Sequence, residues 1–285
     1  MIGFNNLKGK TFILGVGAQK AGTTWLYDYL RSHPEVAISP LKELHYFDQI
    51  HRSDLCGNFN EKFKARTRKK WAEVNQLSDL EKAEALWPLI DRVRMINNPR
   101  AYLEYFDRLA SGAAQVVGEI TPSYSILPVE AFAKIRAMLT AVGCRVRVVF
   151  IMRDPCERFW SQLRFYHAKG YNESPEKYFL SALKDPQYVE RTRYDLTLSR
   201  LEQVFQPEEL SYHFYETLFQ DSEVAKICHF LQIKFAPTQF DRVLNASPRL
   251  AMSDAQRQAL RAEFDPVYAA LASRFGAALP RKWQG

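Results

Sequence analysis

Cysteine is scarce in this chain and widely spaced. Cys56, Cys144, Cys156 and Cys228 form no CxxC pair and have no paired histidines beside them, so the sequence encodes neither a disulfide framework nor a zinc site. The four thiols read as reduced and mostly buried. Long apolar runs are lacking too: no window approaches the roughly 18 residues that a membrane span needs, and residues 1–10 have no extended apolar segment. A cytoplasmic location is the resulting expectation. Internal repeats and low-complexity tracts are absent, and with 47% hydrophobic and 25% charged residues the composition excludes a disordered or fibrous chain.

What is present fits a self-folding globular protein, read as one domain over residues 1–285. Lys and Arg outnumber Asp and Glu by 39 to 32, a formal +7, and a positive field favours anionic partners. Nucleotides, nucleic acid and acidic glycans all qualify. The densest basic run, Lys62, Lys64, Arg66, Arg68, Lys69 and Lys70, reads as a solvated helix face and not as a nucleic-acid patch, so no nucleic-acid partner is expected.

Residues 11–16, TFILGV, are apolar without alternation, as in a parallel strand covered on both faces. The loop Gly17-Ala-Gln-Lys20-Ala21-Gly22 follows. Then Thr23, Thr24 and Trp25 open a segment with helical apolar spacing that runs to Leu30, ahead of Pro34. Further strands are predicted at 35–38, 115–120, 145–152 and 210–215, and helices at 194–205, 222–231 and 254–275. Residues 51–110 read as a helical insertion and not a separate domain, because no Pro-, Gly- or Ser-rich linker flanks them. At 153–157, Asp154 is a predicted N-cap, Pro155 the first helical residue and Glu157 the partner in a capping-box pattern. Alternating strands and helices predict a three-layer α/β fold: a mostly parallel sheet with helices on both faces.

In such sheets ligands bind beyond the carboxyl ends of the strands. Three strand ends carry polar clusters: Gln19 to Thr24, Glu119-Ile120-Thr121-Pro122, and Arg153-Asp154. The loop Gly17-x-x-Lys20-x-Gly22-Thr23-Thr24 can offer backbone N–H groups, two hydroxyls and an ammonium to a phosphate at a helix N-terminus. It is P-loop-like in form, yet Lys20 precedes the second glycine and Ala21 stands where a magnesium-binding Ser or Thr would follow the lysine. No metal is therefore expected. Taken alone, the loop could be a plain strand-to-helix turn, and Arg153-Asp154-Pro155 a plain helix cap.

Together these segments resemble the sulfotransferases that use 3′-phosphoadenylyl sulfate, and among them the glycosaminoglycan and heparan sulfate type in a soluble, bacterial-like form. The loop resembles that family's 5′-phosphosulfate site, which implies donor contacts at Lys20, Ala21, Gly22, Thr23, Thr24 and Trp25. Arg153-Asp-Pro-x-x-Arg158-x-x-Ser161 resembles its 3′-phosphate motif, with Arg153 and Ser161 as the binding residues. Lys42-Glu43-Leu44-His45-Tyr46-Phe47-Asp48 resembles the segment whose Glu is the base, which implies Glu43 as base and His45 as its substitute, with Lys20 at the leaving group. Gly118-Glu119-Ile120-Thr121-Pro122-Ser123-Tyr124 is similar to a further family segment, although Ile120 replaces a lysine that several members carry. Asn245 to Arg249 occupies the place of a loop covering the nucleotide, so Arg249 is a further candidate contact. Tyr194 stands where the family commonly has an aromatic, and Trp283 reads as a packing anchor.

The resemblance implies sulfuryl transfer from 3′-phosphoadenylyl sulfate to a hydroxyl, or an amine, of a small-molecule or glycan acceptor, without a metal. Two other readings stay open at the sequence level. One is a catalytically inactive nucleotide-binding regulator, which has no need of Glu43. The other is a P-loop-like small-molecule kinase, which would want a Ser or Thr after Lys20. Neither the acceptor nor the oligomeric state can be read from the sequence.

Overall fold

All seven residues of the first strand, β1 (Thr11–Gly17), are buried. Because successive side chains point to opposite faces of a sheet, both faces of this strand must be covered. A computed structural model, which describes residues 3–74, 78–238 and 250–283, shows why. The strand lies at the centre of a five-stranded sheet with β2 (Val36–Ile38), β3 (Val116–Ile120), β4 (Arg145–Met152) and β5 (Leu210–Phe214), in the order β2-β3-β1-β4-β5. All four pairings are parallel.

Helices surround the sheet. After β1 comes α1 (Thr23–Ser32). Between β2 and β3 lie α2 (Tyr46–His51), α3 (Ser53–Cys56), α4 (Phe59–Glu73), α5 (Asp79–Met95) and α6 (Pro99–Leu109). Next are α7 (Val129–Ala141), α8 (Pro155–Ala168), α9 (Pro175–Ala182), α10 (Pro186–Val189) and α11 (Tyr194–Glu202), and after β5 come α12 (Tyr215–Leu218), α13 (Asp221–Leu231), α14 (Asp254–Glu263) and α15 (Asp265–Phe275). The sheet–helix core is strongly aromatic. Phe12 meets Phe106 edge-on at 4.8 Å, and Tyr102 lies 4.8 Å from Phe106. Burying each such side chain is worth about 1.5–3 kcal/mol.

Three sequence expectations are corrected. The single helix expected over 254–275 is two helices separated at Phe264, because Pro266 in the first turn of α15 cannot continue the hydrogen-bond ladder. The helices between β2 and β3 begin at Tyr46 and not at 51. The capping-box partner of Asp154 is not Glu157: Asp154 accepts from the Glu157 N–H at 2.9 Å, but its own N–H donates to Glu216 Oε1 at 3.1 Å. The basic run on α4 is a solvated face, for that helix has no buried residue. All four cysteines are free and buried.

Two glycines let the strands approach. A Cβ on Gly118 would come within 2.0 Å of the Ile13 carbonyl oxygen, and one on Gly15 within 2.7 Å of the Ile120 side chain. Only glycine fits there. The close fit sets the ends of β1 and β3 side by side, and β4 flanks β1 on its other edge, so the loops leaving all three strands meet at one rim.

Candidate active site

The loop after β1 is shaped by backbone conformation before any side chain acts. Lys20 adopts a left-handed φ of 69° and Gly22, the N-cap of α1, a φ of 88°. A Cβ at Gly22 would press to 2.9 Å from Leu218 and 3.2 Å from Tyr215, so the turn needs glycine on both counts. The helix it opens has no side-chain cap and no acidic residue in its first turn. Its positive end therefore faces the loop without a built-in counter-charge. Trp25 stacks on Tyr29 at 5.7 Å and meets Phe219 edge-on, which seats the helix on the core.

Lys20 lies 4.4 Å over the Phe165 ring of α8. Burial, reinforced by Arg153 and Arg164, lowers its pKa to about 8, against a smaller upward pull from Glu43. Arg153, at the end of β4, donates from Nη1 to the Lys20 carbonyl at 3.2 Å and lies over the Tyr215 ring at 4.6 Å. Tyr194 is fully buried, and its hydroxyl donates to the Arg153 carbonyl at 3.1 Å. The structure thus brings Lys20 and Arg153 together and braces both. Glu157, 3.9 Å from Arg153, offsets part of this positive charge, yet Arg153 and Arg164 still lower the Lys20 pKa, and an anion bound beside them would relieve that repulsion.

Ser161 lies within α8 and is buried, with no hydrogen bond to Arg153 among the described residues. Arg158 serves the core: it donates to Thr192 Oγ1, Gln162 Oε1 and the Tyr188 carbonyl at 3.0, 2.8 and 3.0 Å. Arg249 lies outside the described residues.

Facing the loop is the turn at 42–48. In an extended segment Glu43 and His45 would share a face but stand a full two-residue repeat, roughly 7 Å, apart; instead both take left-handed φ values, 52° and 50°. The chain therefore curls, and His45 Nε2 comes within 3.7 Å of Glu43 Oε2. The other ring nitrogen, Nδ1, lies 2.7 Å from Asp48 Oδ2, and the ring stacks on Phe59 at 3.8 Å. Ser123 Oγ donates to the same Asp48 oxygen. Burial alone would lower the imidazole pKa, yet Asp48 and Glu43 raise it to about 9. Burial would likewise raise the Glu43 carboxyl, but the bond and charge of His45, with Lys42, hold it below the usual range. At neutral pH the pair is an imidazolium and a carboxylate. Glu43, with a side chain 41% exposed, is the member open to a proton donor from outside.

Two further contacts tie this turn to the phosphate loop and to the end of β3. Lys42 Nζ donates to Thr24 Oγ1, in the first turn of α1, at 2.8 Å. The Tyr124 hydroxyl accepts from the Tyr46 N–H at 3.1 Å, and it donates to Glu119 at 3.1–3.2 Å. Glu119 also accepts from Tyr102 and Thr121, both at 2.7 Å. Its burial lifts its pKa to about 7 against those three hydrogen bonds. The segment at 118–124 therefore anchors the turn at 42–48 from below.

Sequence reasoning singled out Glu43 and His45 but assigned nothing to Asp48, Ser123 or Lys42. A signal for Asp48 existed, since His45 and Asp48 stand three apart at a helix start, a spacing that lets side chains meet. Arg92, which holds the turn from α5 by donating to the Lys42 carbonyl at 2.7 Å, had no sequence signal. No group of three or more potential metal ligands exists among the described residues, and no described helix is long and apolar enough to cross a membrane.

Comparisons with known proteins bear on the fold and the family. A sulfotransferase from Alicyclobacillus acidocaldarius superposes with a TM-score of 0.65 at 18% identity, over 97% of this chain and 99% of that chain, and shows the same fold. Two others match at lower similarity. The sulfotransferase domain of the Synechococcus PCC 7002 olefin synthase has 16% identity and a TM-score of 0.46 over 95% of both chains. A Mycobacterium avium sulfotransferase has 14% identity and a TM-score of 0.47, over 95% of this chain and 77% of that chain. A search of curated proteins finds no matching relative. The family model described as the sulfotransferase domain matches residues 10–264, and the chain accordingly belongs to the sulfotransferase family, whose reaction is sulfuryl transfer.

Proposed function

We propose that this sulfotransferase takes its sulfuryl group from 3′-phosphoadenylyl sulfate and passes it to a hydroxyl of a small-molecule or glycan acceptor, leaving adenosine 3′,5′-bisphosphate. The observation that carries the reading is the meeting of a half-buried cation cluster, Lys20 with Arg153, and an ionised carboxylate, Glu43, across the Lys42–Thr24 hydrogen bond. A donor bearing both a phosphosulfate and a second phosphate supplies anions for Lys20 and for Arg153. The α1 terminus from Ala21 to Thr24 holds the 5′-phosphate, and Arg153 with Ser161 takes the 3′-phosphate.

In-line transfer asks the protein for alignment, charge stabilisation and a base. Lys20 neutralises the oxygen that leaves sulfur. Glu43 takes the proton of the attacking acceptor hydroxyl, while the Asp48–His45 pair, protonated at neutral pH, fixes the carboxylate from the side. Ala21 after Lys20 leaves no hydroxyl for magnesium, which argues against a kinase. We take residues 1–285 as one sulfotransferase domain, with the helices between β2 and β3 forming part of the acceptor side. The 42–48 segment favours the glycosaminoglycan type within the family. Four buried free thiols fit a reducing compartment, which we take to be the cytoplasm.

The test is direct. Adenosine 3′,5′-bisphosphate should raise the melting temperature in EDTA, and label should pass from sulfur-35 donor into an acceptor from a panel of phenols, alcohols and oligosaccharides. Absence of stabilisation at millimolar nucleotide would refute the donor assignment.

A further inference from the structure

Lys42 stands one residue before Glu43, and its side chain crosses to the phosphate loop. The ammonium donates to Thr24 Oγ1 at 2.8 Å and lies 5.6 Å over the Tyr27 ring, while Arg92 pins the Lys42 carbonyl from the other side at 2.7 Å. An ammonium has three donors. Thr24 takes one, and among the described residues no carboxylate lies within 4.0 Å of the Lys42 nitrogen, although its charge acts on Glu43.

Position adds to this. Lys20 serves the loop side and Glu43 the acceptor side, and the sulfuryl group must pass between them. The end of β3 places the buried, uncharged Ile120 at this rim, while the Lys42 ammonium touches the loop at Thr24 and its charge acts on Glu43.

We propose that Lys42 is a further catalytic residue of the transfer, donating to the sulfuryl oxygens from the side of Glu43. As the bond between acceptor oxygen and sulfur forms and the bond between sulfur and phosphate oxygen breaks, the acceptor proton goes to Glu43. The electron pair of the broken bond stays on the phosphate oxygen beside Lys20. Lys42 meanwhile balances the charge on the sulfuryl oxygens in flight. This assignment rests on the donor reading above.

The test uses calorimetry with two nucleotides that differ by the sulfuryl group alone, 3′-phosphoadenylyl sulfate and adenosine 3′,5′-bisphosphate, on the full chain. Lys42→Ala should weaken the sulfated nucleotide about 10-fold or more, leave the bisphosphate nearly unchanged, and be largely restored by Lys42→Arg. Lys42→Met retains the aliphatic stem and gives the same comparison if Lys42→Ala does not fold. Equal weakening of both nucleotides, or of neither, overturns the assignment and leaves Lys42 as a brace for Thr24. Wild-type protein that binds neither nucleotide overturns the donor reading and this inference with it. Wild-type protein that binds both, with Lys42→Ala unchanged, removes Lys42 alone.

Discussion

The guanidinium of Arg92 donates to the carbonyl oxygens of two consecutive residues, Lys42 at 2.7 Å and Glu43 at 3.2 Å, and stacks over Phe63 at 4.3 Å. Glu43 and His45 both hold left-handed backbone conformations, which cost on the order of 1 kcal/mol or more each unless the surroundings impose them. Arg92 is what imposes the first. Arg92→Ala should therefore lower turnover about 10- to 100-fold through misplacement of Glu43, with affinity for adenosine 3′,5′-bisphosphate kept. Loss of nucleotide affinity in step with turnover would contradict that account.

Lys20 titrates within an accessible range, because burial and the neighbouring Arg153 and Arg164 bring its pKa down to about 8. Below that value the ammonium is charged in the free protein. Above it, binding an anion must take up a proton, and affinity should fall by up to about tenfold per pH unit. Calorimetry at pH 8.5 in buffers of different ionisation enthalpy should show proton uptake. Lys20→Arg, charged throughout, should abolish both the uptake and the slope.

Glu43→Gln retains size but cannot accept a proton, so turnover should fall ~10²–10⁴-fold while nucleotide binding stays close to wild type. His45→Gln should have a smaller effect and should move the pH profile, since it removes the imidazolium that lowers the Glu43 pKa. A larger loss at His45 than at Glu43 would make the imidazole the base.

Arg153→Ala should weaken 3′-phosphorylated nucleotide at least about 10-fold, with much less effect on adenosine 5′-phosphosulfate, which lacks that phosphate. Equal losses would assign Arg153 to bracing the loop through the Lys20 carbonyl.

Glu119 carries a pKa raised by burial to about 7, above that of an unfolded glutamate near 4.5. The folded state then holds the proton more tightly between those values. Its ionisation should cost stability as pH rises from about 5 to 7, with no further change above. Denaturant midpoints of wild type against Glu119→Gln across that range should show the wild type losing ground with rising pH. A parallel pair of curves would contradict the assignment.

Much of the fold was legible because its signals are local. The strand at Arg145–Met152 lies where its β-branched run indicates, and Asp154 with Pro155 starts α8 at once. The break at Phe264 was legible in principle, since Pro266 was in view. The phosphate loop was visible for the same reason, its glycines and Lys20 being contiguous. The geometry of the 42–48 turn was not legible. Its left-handed residues are not glycine, and what holds them comes from afar: Arg92 from α5, Phe59 from α4, and Tyr124, backed by Glu119, from beyond β3. No pattern within seven residues encodes a conformation imposed by partners 14 to 78 positions away.

The central place of β1 in the sheet has a consequence for the order in which the protein can assemble. The strand precedes the other four in the chain, yet Thr11 pairs with Val116 on one side and Arg145 on the other. Both neighbours are contributed by roughly the middle of the chain, and closing loops of such length is slow because their entropy is lost before the pairing rewards it. β3 can pair with β1 before β4 emerges, but the strand behind the Lys20 loop is flanked on both edges only once β4 has left the ribosome, and Arg153 follows β4 directly. The cation cluster and its scaffold arise in one event. A nascent chain ending before β4 should leave nucleotide unbound, and recognition should emerge abruptly as chain length passes that strand.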